Sequence, residues 1–206
     1  MKIAVIGNAD TLKGTALGKY IDSCDVVVRL NYGFLPEALD DDRGYKTTII
    51  YHCSSLRKRL PPHPGIKTKK VNHILRCELQ NTFGAQPSSG IMASIDFANM
   101  LKPGDTLFIA AISFFQEKYI EKYKLPQNVL ENSRKNILNN TSTAHTHNAD
   151  KAAFQFCILN KSGVILDPYL TSLLSLPSDH PNAFHHPIQN VPAGRDLPTS
   201  PETRNQ

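Results

Sequence analysis

The sequence predicts an α/β protein: a single domain built on a central, mostly parallel sheet. Three observations carry that prediction. Short apolar runs rich in β-branched residues at 2–7 (KIAVIG), 25–31 (DVVVRLN) and 47–53 (TTIIYHC) have the length and composition of buried strands. The first two are joined by a segment with room for a turn and a short helix, and strands joined that way pair in parallel. A helix-patterned run, PSSGIMASIDFANML, is followed by a further strand pattern, TLFIAAISFF, so a second strand-and-helix arrangement feeds the same sheet.

In chain order, the first strand closes at Gly7, and a helix starting near Thr11 or Gly14 would carry Leu17, Tyr20 and Ile21 on one side. Arg43-Gly44-Tyr45 turns the chain into the third strand, and VNHILRC at 71–77 reads as a fourth, followed by a polar turn through Gly84. Pro87 with Ser88 and Ser89 supplies a helix start, and Ile91, Ile95, Ala98 and Leu101 recur at helical spacing until Pro103-Gly104 ends the pattern. Residues 116–140 are polar and helix-compatible, with a break at Pro126. DKAAFQFCIL fits a helix beginning near Asn148, although 154–159 reads equally well as strand. Beyond Leu176 the composition turns to Pro, Ser, His, Asn and Thr. The expected division is therefore a domain over 1–176 and an extended or disordered tail over 177–206, with His185-His186 inside the tail.

A chain of 206 residues can bury a sizeable core, and 40% hydrophobic with 20% charged residues is ordinary for a soluble globular protein. No apolar run approaches the roughly 20 residues of a spanning helix. The apolar stretch at the N-terminus is too short for a signal peptide, so the expectation is a cytoplasmic protein. Cys24, Cys53, Cys77 and Cys157 lack C-x-x-C spacing and read as reduced, buried small hydrophobes rather than a zinc site. Much of the net charge of +5 is local, in Arg57, Lys58, Arg59, Lys67, Lys69, Lys70 and Arg76. That cluster is either a solvated loop or a patch for an anionic surface, which would place the protein at the inner membrane face. No aromatic side chains interleave with these charges, which argues against nucleic acid.

The segment GNADTLKG has the strand-turn-helix context in which unpaired amides and the helix dipole receive phosphate. It lacks the G-x-G-x-x-G spacing, and the second strand ends in Arg29 and Asn31 where a dinucleotide fold would place an acid on the ribose. The order Lys13-Gly14-Thr15 also fails the P-loop pattern. What remains is Gly7 with two amides, Asn8 and Asn31, at the carboxyl ends of neighbouring strands, where an open parallel sheet binds ligands. Amides both donate and accept, which suits a ribose, a neutral base edge or a phosphate ester. Ser88, Ser89 and Gly90 form a second corner, either an anion site or ordinary N-capping. DDDR at 40–43 could be taken for a metal-binding Asp-x-Asp, but a solvated acidic turn is the plainer account, and no metal is expected.

Three segments together carry a resemblance. IAVIGNADTLKGTALGKYIDSCDVVVRLN with the later GYKTT resembles the large sialyl motif of the animal-type sialyltransferases, through Gly-Asn, Leu-Lys, a Gly before Ile-Asp, Asp-x-Val, Arg-x-Asn and Gly-x-Lys-Thr-Thr. PSSGIMASIDFANMLKPGDTLFIAAISFF is similar to the small motif, and HNAD at 147–150 to the short last motif, His followed after four residues by Glu. The resemblance implies a Rossmann-like, A-type glycosyltransferase variant without a metal or a cofactor. Such an enzyme transfers sialic acid, or a related nonulosonic acid, from its CMP ester to a glycan hydroxyl with inversion. It also implies that Asn8 and Asn31 contact the nucleotide, that Ser88, Ser89 and Gly90 hold the donor's phosphate or carboxylate, and that His147 is the general base.

The chain departs from the family pattern in places. The family's two motif cysteines, paired in a disulfide, are replaced by Ile3 and by roughly Leu101 or Lys102, which fits a reducing compartment. The acid expected after His147 is Ala152; counted from His145 it is Asp150, so either histidine could be the base. KYIEKY at 118–123 keeps Tyr119 and Glu121 of the intermediate motif without its histidine. Two other readings follow: a CMP-binding protein on this scaffold without turnover, and a Rossmann-like enzyme using another nucleotide.

Overall fold

The computed structural model describes residues 1–53, 64–118, 127–139 and 145–175. Its centre is one six-stranded sheet with β1 at Lys2–Ile6, β2 at Val26–Leu30, β3 at Ile49–His52, β4 at Lys67–Lys70, β5 at Thr106–Ala110 and β6 at Val164–Leu166. The strand order is β4-β3-β2-β1-β5-β6 and every pairing is parallel. The fold class read from the sequence is therefore the one the chain adopts, with a sheet that is wholly rather than mostly parallel. The chain works outward from β1 to β4, then crosses back to lay β5 on the other side of β1. The switch point of the sheet lies between β1 and β5.

Period-two alternation sorts the side chains onto two faces. Ile3, Val5, Val28, Leu30, Tyr51, Leu107 and Ile109 enter the main core, under α2 (His73–Phe83), α3 (Ser89–Ala98), α5 (His147–Ile158) and α6 (Pro168–Leu174). Ala4, Ile6, Val27, Phe108 and Ala110 face the other way, against Leu12, Cys24 and Ile21 of α1 (Gly18–Asp22). α3 is buried nearly all round, from Ile91 to Ala98, because it bridges the sheet and α5. α4 covers Gln127–Leu138.

Several expectations need correction. The segment 71–77 opens a helix instead of a strand. Asn72 caps α2 by accepting the Leu75 N–H at 3.2 Å, and Leu75, Leu79 and Phe83 place one apolar row on the core. The fourth strand is the preceding Lys-Thr-Lys-Lys, an exposed edge whose lysines suit an unpaired sheet border. The first helix begins only at Gly18, after a turn through Leu12, and Tyr20 lies outside the core, its ring edge-on to Phe108. Residues 154–158 are helix, and β6 and α6 lie where the sequence suggested no element. Of the four cysteines, all unpaired, only Cys24 is buried. Arg57 to Arg59, the tail over 177–206 and KYIEKY beyond Lys118 lie outside the described residues.

Candidate active site

The carboxyl ends of the strands and the amino ends of the helices that follow them form one rim, which carries Gly7, Asn8, Asn31, Ser88, Ser89, Gly90, His145 and His147. Gly7 and Asn8 leave β1, and Asn31 leaves β2. α3 enters the rim at Ser88–Gly90, and α5 enters it through His145 and His147.

Close approach at the switch point explains Gly7. Its N–H donates to Ala110 O at 2.8 Å, and a Cβ on it would sit 2.0 Å from the Ala111 carbonyl oxygen. Asn8 is 7% exposed and gives its Nδ2 to Leu30 O at 3.2 Å, tying the turn after β1 to the end of β2. Asn31 follows directly, in the left-handed region at φ 52°, which Asn tolerates better than most residues. Its Oδ1 is buried and has no hydrogen-bond partner. Gly90 packs here too: a Cβ on it would lie 3.3 Å from Leu30 Cδ1 and 3.5 Å from Ile112 Cδ1. The two amide corners and the serine-glycine corner, widely separated in sequence, therefore stand together around the ends of β1, β2 and β5.

The turn after β5 carries three non-glycine residues in the left-handed region, Ala111, Phe114 and Phe115. Asp167, the cap of α6, holds that turn by accepting the Ala111 N–H at 3.0 Å. From α4, Arg134 reaches Gln116 O at 2.9 Å. Both histidines rest on this turn. The Phe114 carbonyl accepts the Nδ1–H of His147 at 2.7 Å, and the Gln116 amide nitrogen is 3.3 Å from its Nε2. With Nδ1 as the donor to a carbonyl, Nε2 carries the lone pair and accepts from the amide. The His145 ring stacks on Phe115.

Beneath the rim lie two buried guanidinium groups that sequence reasoning did not place there. Arg29 donates to Lys46 O, Arg43 O and Gly44 O, and Arg43 to Gly7 O at 2.7 Å and Ala9 O at 3.0 Å. Burial lowers the pKa of both, Arg29 to about 10. Arg29 was legible as the residue that disfavours NAD; its service to the 43–46 loop needs the third dimension. The acidic turn is not simply solvated: Asp42 accepts the Gly14 and Ala16 N–H groups, and Asp40 that of Arg43, so its carboxylates brace the turn after β1. Among the described residues no cluster of His, Cys, Asp or Glu could hold a metal ion, and no helix is long and apolar enough to cross a membrane. Arg76, counted in the basic cluster, turns inward to Pro87 O at 3.2 Å.

At α3, Ser88 is the N-cap but makes no side-chain capping bond. Its N–H is taken by Asp150 Oδ1 at 3.0 Å. The next amides, of Ser89 and Gly90, are the orphan donors of a helix start. Asp150 is 1% exposed, and burial raises its pKa against the opposing effects of His145 and the Ser88 N–H.

Residues 1–81 match the family model of glycosyltransferase family 29 (sialyltransferase). The match runs from β1 into α2 and includes Gly7, Asn8 and Asn31, so the resemblance to the sialyltransferases is borne out over that part of the chain. Ser88–Gly90 and the histidines lie beyond it. No curated protein matches the chain. Among solved structures, the chain is similar to a mammalian sialyltransferase in complex with Gal-beta-1-3GalNAc-ortho-nitrophenol, at 16% identity and a TM-score of 0.49, covering 81% of this chain and 68% of that one. It is also similar to a mammalian sialyltransferase structure at 19% identity and a TM-score of 0.39, covering 70% and 68%. The N-terminal part of the chain is thus similar to the sialyltransferase family.

Proposed function

We propose that the protein transfers a sialic or related nonulosonic acid from its CMP ester to a glycan hydroxyl, with inversion at the anomeric carbon. The observation that carries the proposal is the convergence on one rim of the Asn8–Asn31 corner, the start of α3 and His147 Nε2, with the first of these inside the matched segment. In this reading Asn31 Oδ1, buried without a partner, gains one from the nucleotide. The amides and hydroxyls of Ser88, Ser89 and Gly90 meet the donor's phosphate or carboxylate, although the Ser88 N–H is already engaged by Asp150.

His147 is the base. Its Nδ1–H is anchored on Phe114 O, which fixes ring and tautomer and leaves Nε2 to accept. An acceptor hydroxyl takes the place of the Gln116 amide at Nε2, and its oxygen attacks the anomeric carbon as the proton passes to Nε2. The bond from that carbon to the phosphate oxygen breaks, and CMP leaves with the electron pair. Charge growing on the phosphate is met by the donors at the start of α3 and by the field of Arg43, buried under the turn after β1. The active site uses this chain's own groups and no metal or cofactor.

The test is calorimetry with CMP, UMP and NAD, followed by hydrolysis of CMP-sialic acid by wild type and His147→Ala. CMP should bind, and the substitution should lower turnover by about 10²–10⁴-fold with little change in CMP affinity. Absence of CMP binding refutes the proposal. A second reading, a CMP-binding protein without turnover, is favoured by Ala152: where the family has an acid, this chain has a fully buried alanine. Wild type that binds CMP yet is no faster than His147→Ala would select it. A cytoplasmic location, with Lys67, Lys69 and Lys70 of the exposed edge strand meeting anionic lipid, completes the proposal.

A further inference from the structure

The three residues leading into α3 are each held through the backbone by a different ionisable side chain. His145 Nδ1 donates to Gln86 O at 2.6 Å, Arg76 Nε of α2 donates to Pro87 O at 3.2 Å, and Asp150 of α5 accepts the Ser88 N–H at 3.0 Å. A carbonyl only accepts, so Nδ1 of His145 must carry the proton. The ring is fixed from a second side by stacking on Phe115 at 6.2 Å and 16°. Asp150 is enclosed at 1% exposure, and the charged or titratable groups that face it are His145 and Arg76. These holds come from α2, from the segment before α5 and from α5 itself, so they fix the segment from several directions.

We infer that Arg76, His145 and Asp150 form a clasp that sets the position of the α3 amino end, with His145 acting as a positioning residue. The inference rests on the donor-binding reading of Ser88–Gly90 given above. Donors that stabilise a leaving group work only when pre-set within a fraction of an ångström. A helix start held by backbone contacts from three directions meets that need.

The test uses the full chain as wild type, His145→Ala and His145→Asn. Asparagine puts an amide N–H close to where Nδ1 stands and offers no basic lone pair. Three quantities are read: amide hydrogen exchange at 86–90 without ligand, CMP affinity, and hydrolysis of CMP-sialic acid. His145→Ala should speed exchange at the Ser88 N–H, the one Asp150 holds, about tenfold or more and weaken CMP binding about tenfold. His145→Asn should restore both, and hydrolysis, to within about threefold of wild type. Unchanged exchange in His145→Ala overturns the clasp. So does a His145→Asn that binds CMP normally but hydrolyses the donor about 100-fold slower or worse, since that is the mark of a lost base. Should His145→Ala fail to fold, Arg76→Gln replaces it under the same exchange criterion. If wild type binds no CMP, the donor-site reading falls while the exchange data still decide the clasp.

Discussion

Replacing Arg43 by Met tests whether the turn after β1 is held from below by a buried cation. The side chain is 3% exposed, and its fork spans Gly7 O at 2.7 Å and Ala9 O at 3.0 Å, two carbonyls with water excluded around the guanidinium. Met keeps most of the stem volume and removes both donors, so the main loss is two carbonyls left without these bonds, at about 1–3 kcal/mol each. Relief from burying a charge offsets part of that loss, because desolvation already lowers the pKa of Arg43. The expected net loss is about 2–4 kcal/mol, a large share of a typical stability of about 5–15 kcal/mol. Lys should recover less than half, since one ammonium cannot match a planar fork on two carbonyls. The assay is equilibrium unfolding in urea at neutral pH, where this loss lowers the midpoint by about 1–2 M at an unchanged slope. A midpoint shift under about 0.3 M at wild-type slope would mean the bridge contributes nothing, and the electrostatic support assigned to the rim would go with it.

Gly7→Ala should cost about 1–3 kcal/mol or displace the turn, because its Cβ would overlap Ala111 O. Gly90→Ala, which meets only side-chain carbons at 3.3 and 3.5 Å, should stay within about 1 kcal/mol of wild type; urea midpoints that rank the two in the opposite order contradict the packing described. Asp96 accepts the Tyr51 hydroxyl at 2.6 Å, and burial raises its pKa above the usual 3.8. A raised carboxyl contributes stability that is full below the unfolded value and fades as pH rises through the folded one. Wild type should therefore gain on Asp96→Asn as pH falls from about 7 to about 4, and a gap that is constant or moves the other way refutes the assignment. Exchanging Lys67, Lys69 and Lys70 for Gln should weaken binding to vesicles rich in anionic lipid by about 1 kcal/mol per charge, and equal binding removes the membrane contact.

The sheet was legible because its inner strands are apolar on both faces, as parallel strands between helix layers must be. β4 was missed because an edge strand of Lys-Thr-Lys-Lys carries no apolar signal. Its neighbour VNHILRC was misread because a seven-residue window shows one turn of a helical row that needs Leu79 and Phe83 to declare itself. β6 is only three residues long, too short to show a period. At the rim the placement of the candidate residues was legible and that of their supports was not. Asn8, Asn31 and the serine-glycine corner announce themselves by residue type at strand ends and helix starts. Arg43 and Asp150 looked like members of a charged turn and an irregular histidine motif, because a charge that braces backbone 36 or 62 residues away has no local pattern.

Those hidden charges share one design. Arg29, Arg43, Asp150 and Asp167 are each buried; the last three engage backbone groups at the rim, and Arg29 engages those of the loop that leads into β3. A backbone carbonyl or amide offers a fixed dipole with no side-chain freedom to lose, so a buried ion gains direction at little entropic cost, while removing it strands a group that cannot rearrange. Loops after parallel strands lack ladder partners and would otherwise be the softest part of such a fold. Bracing them with ions accepts a desolvation penalty in the interior in return for a rim held still. That is the order of priorities the proposed reaction would require, since a charged leaving group is best met by prearranged donors.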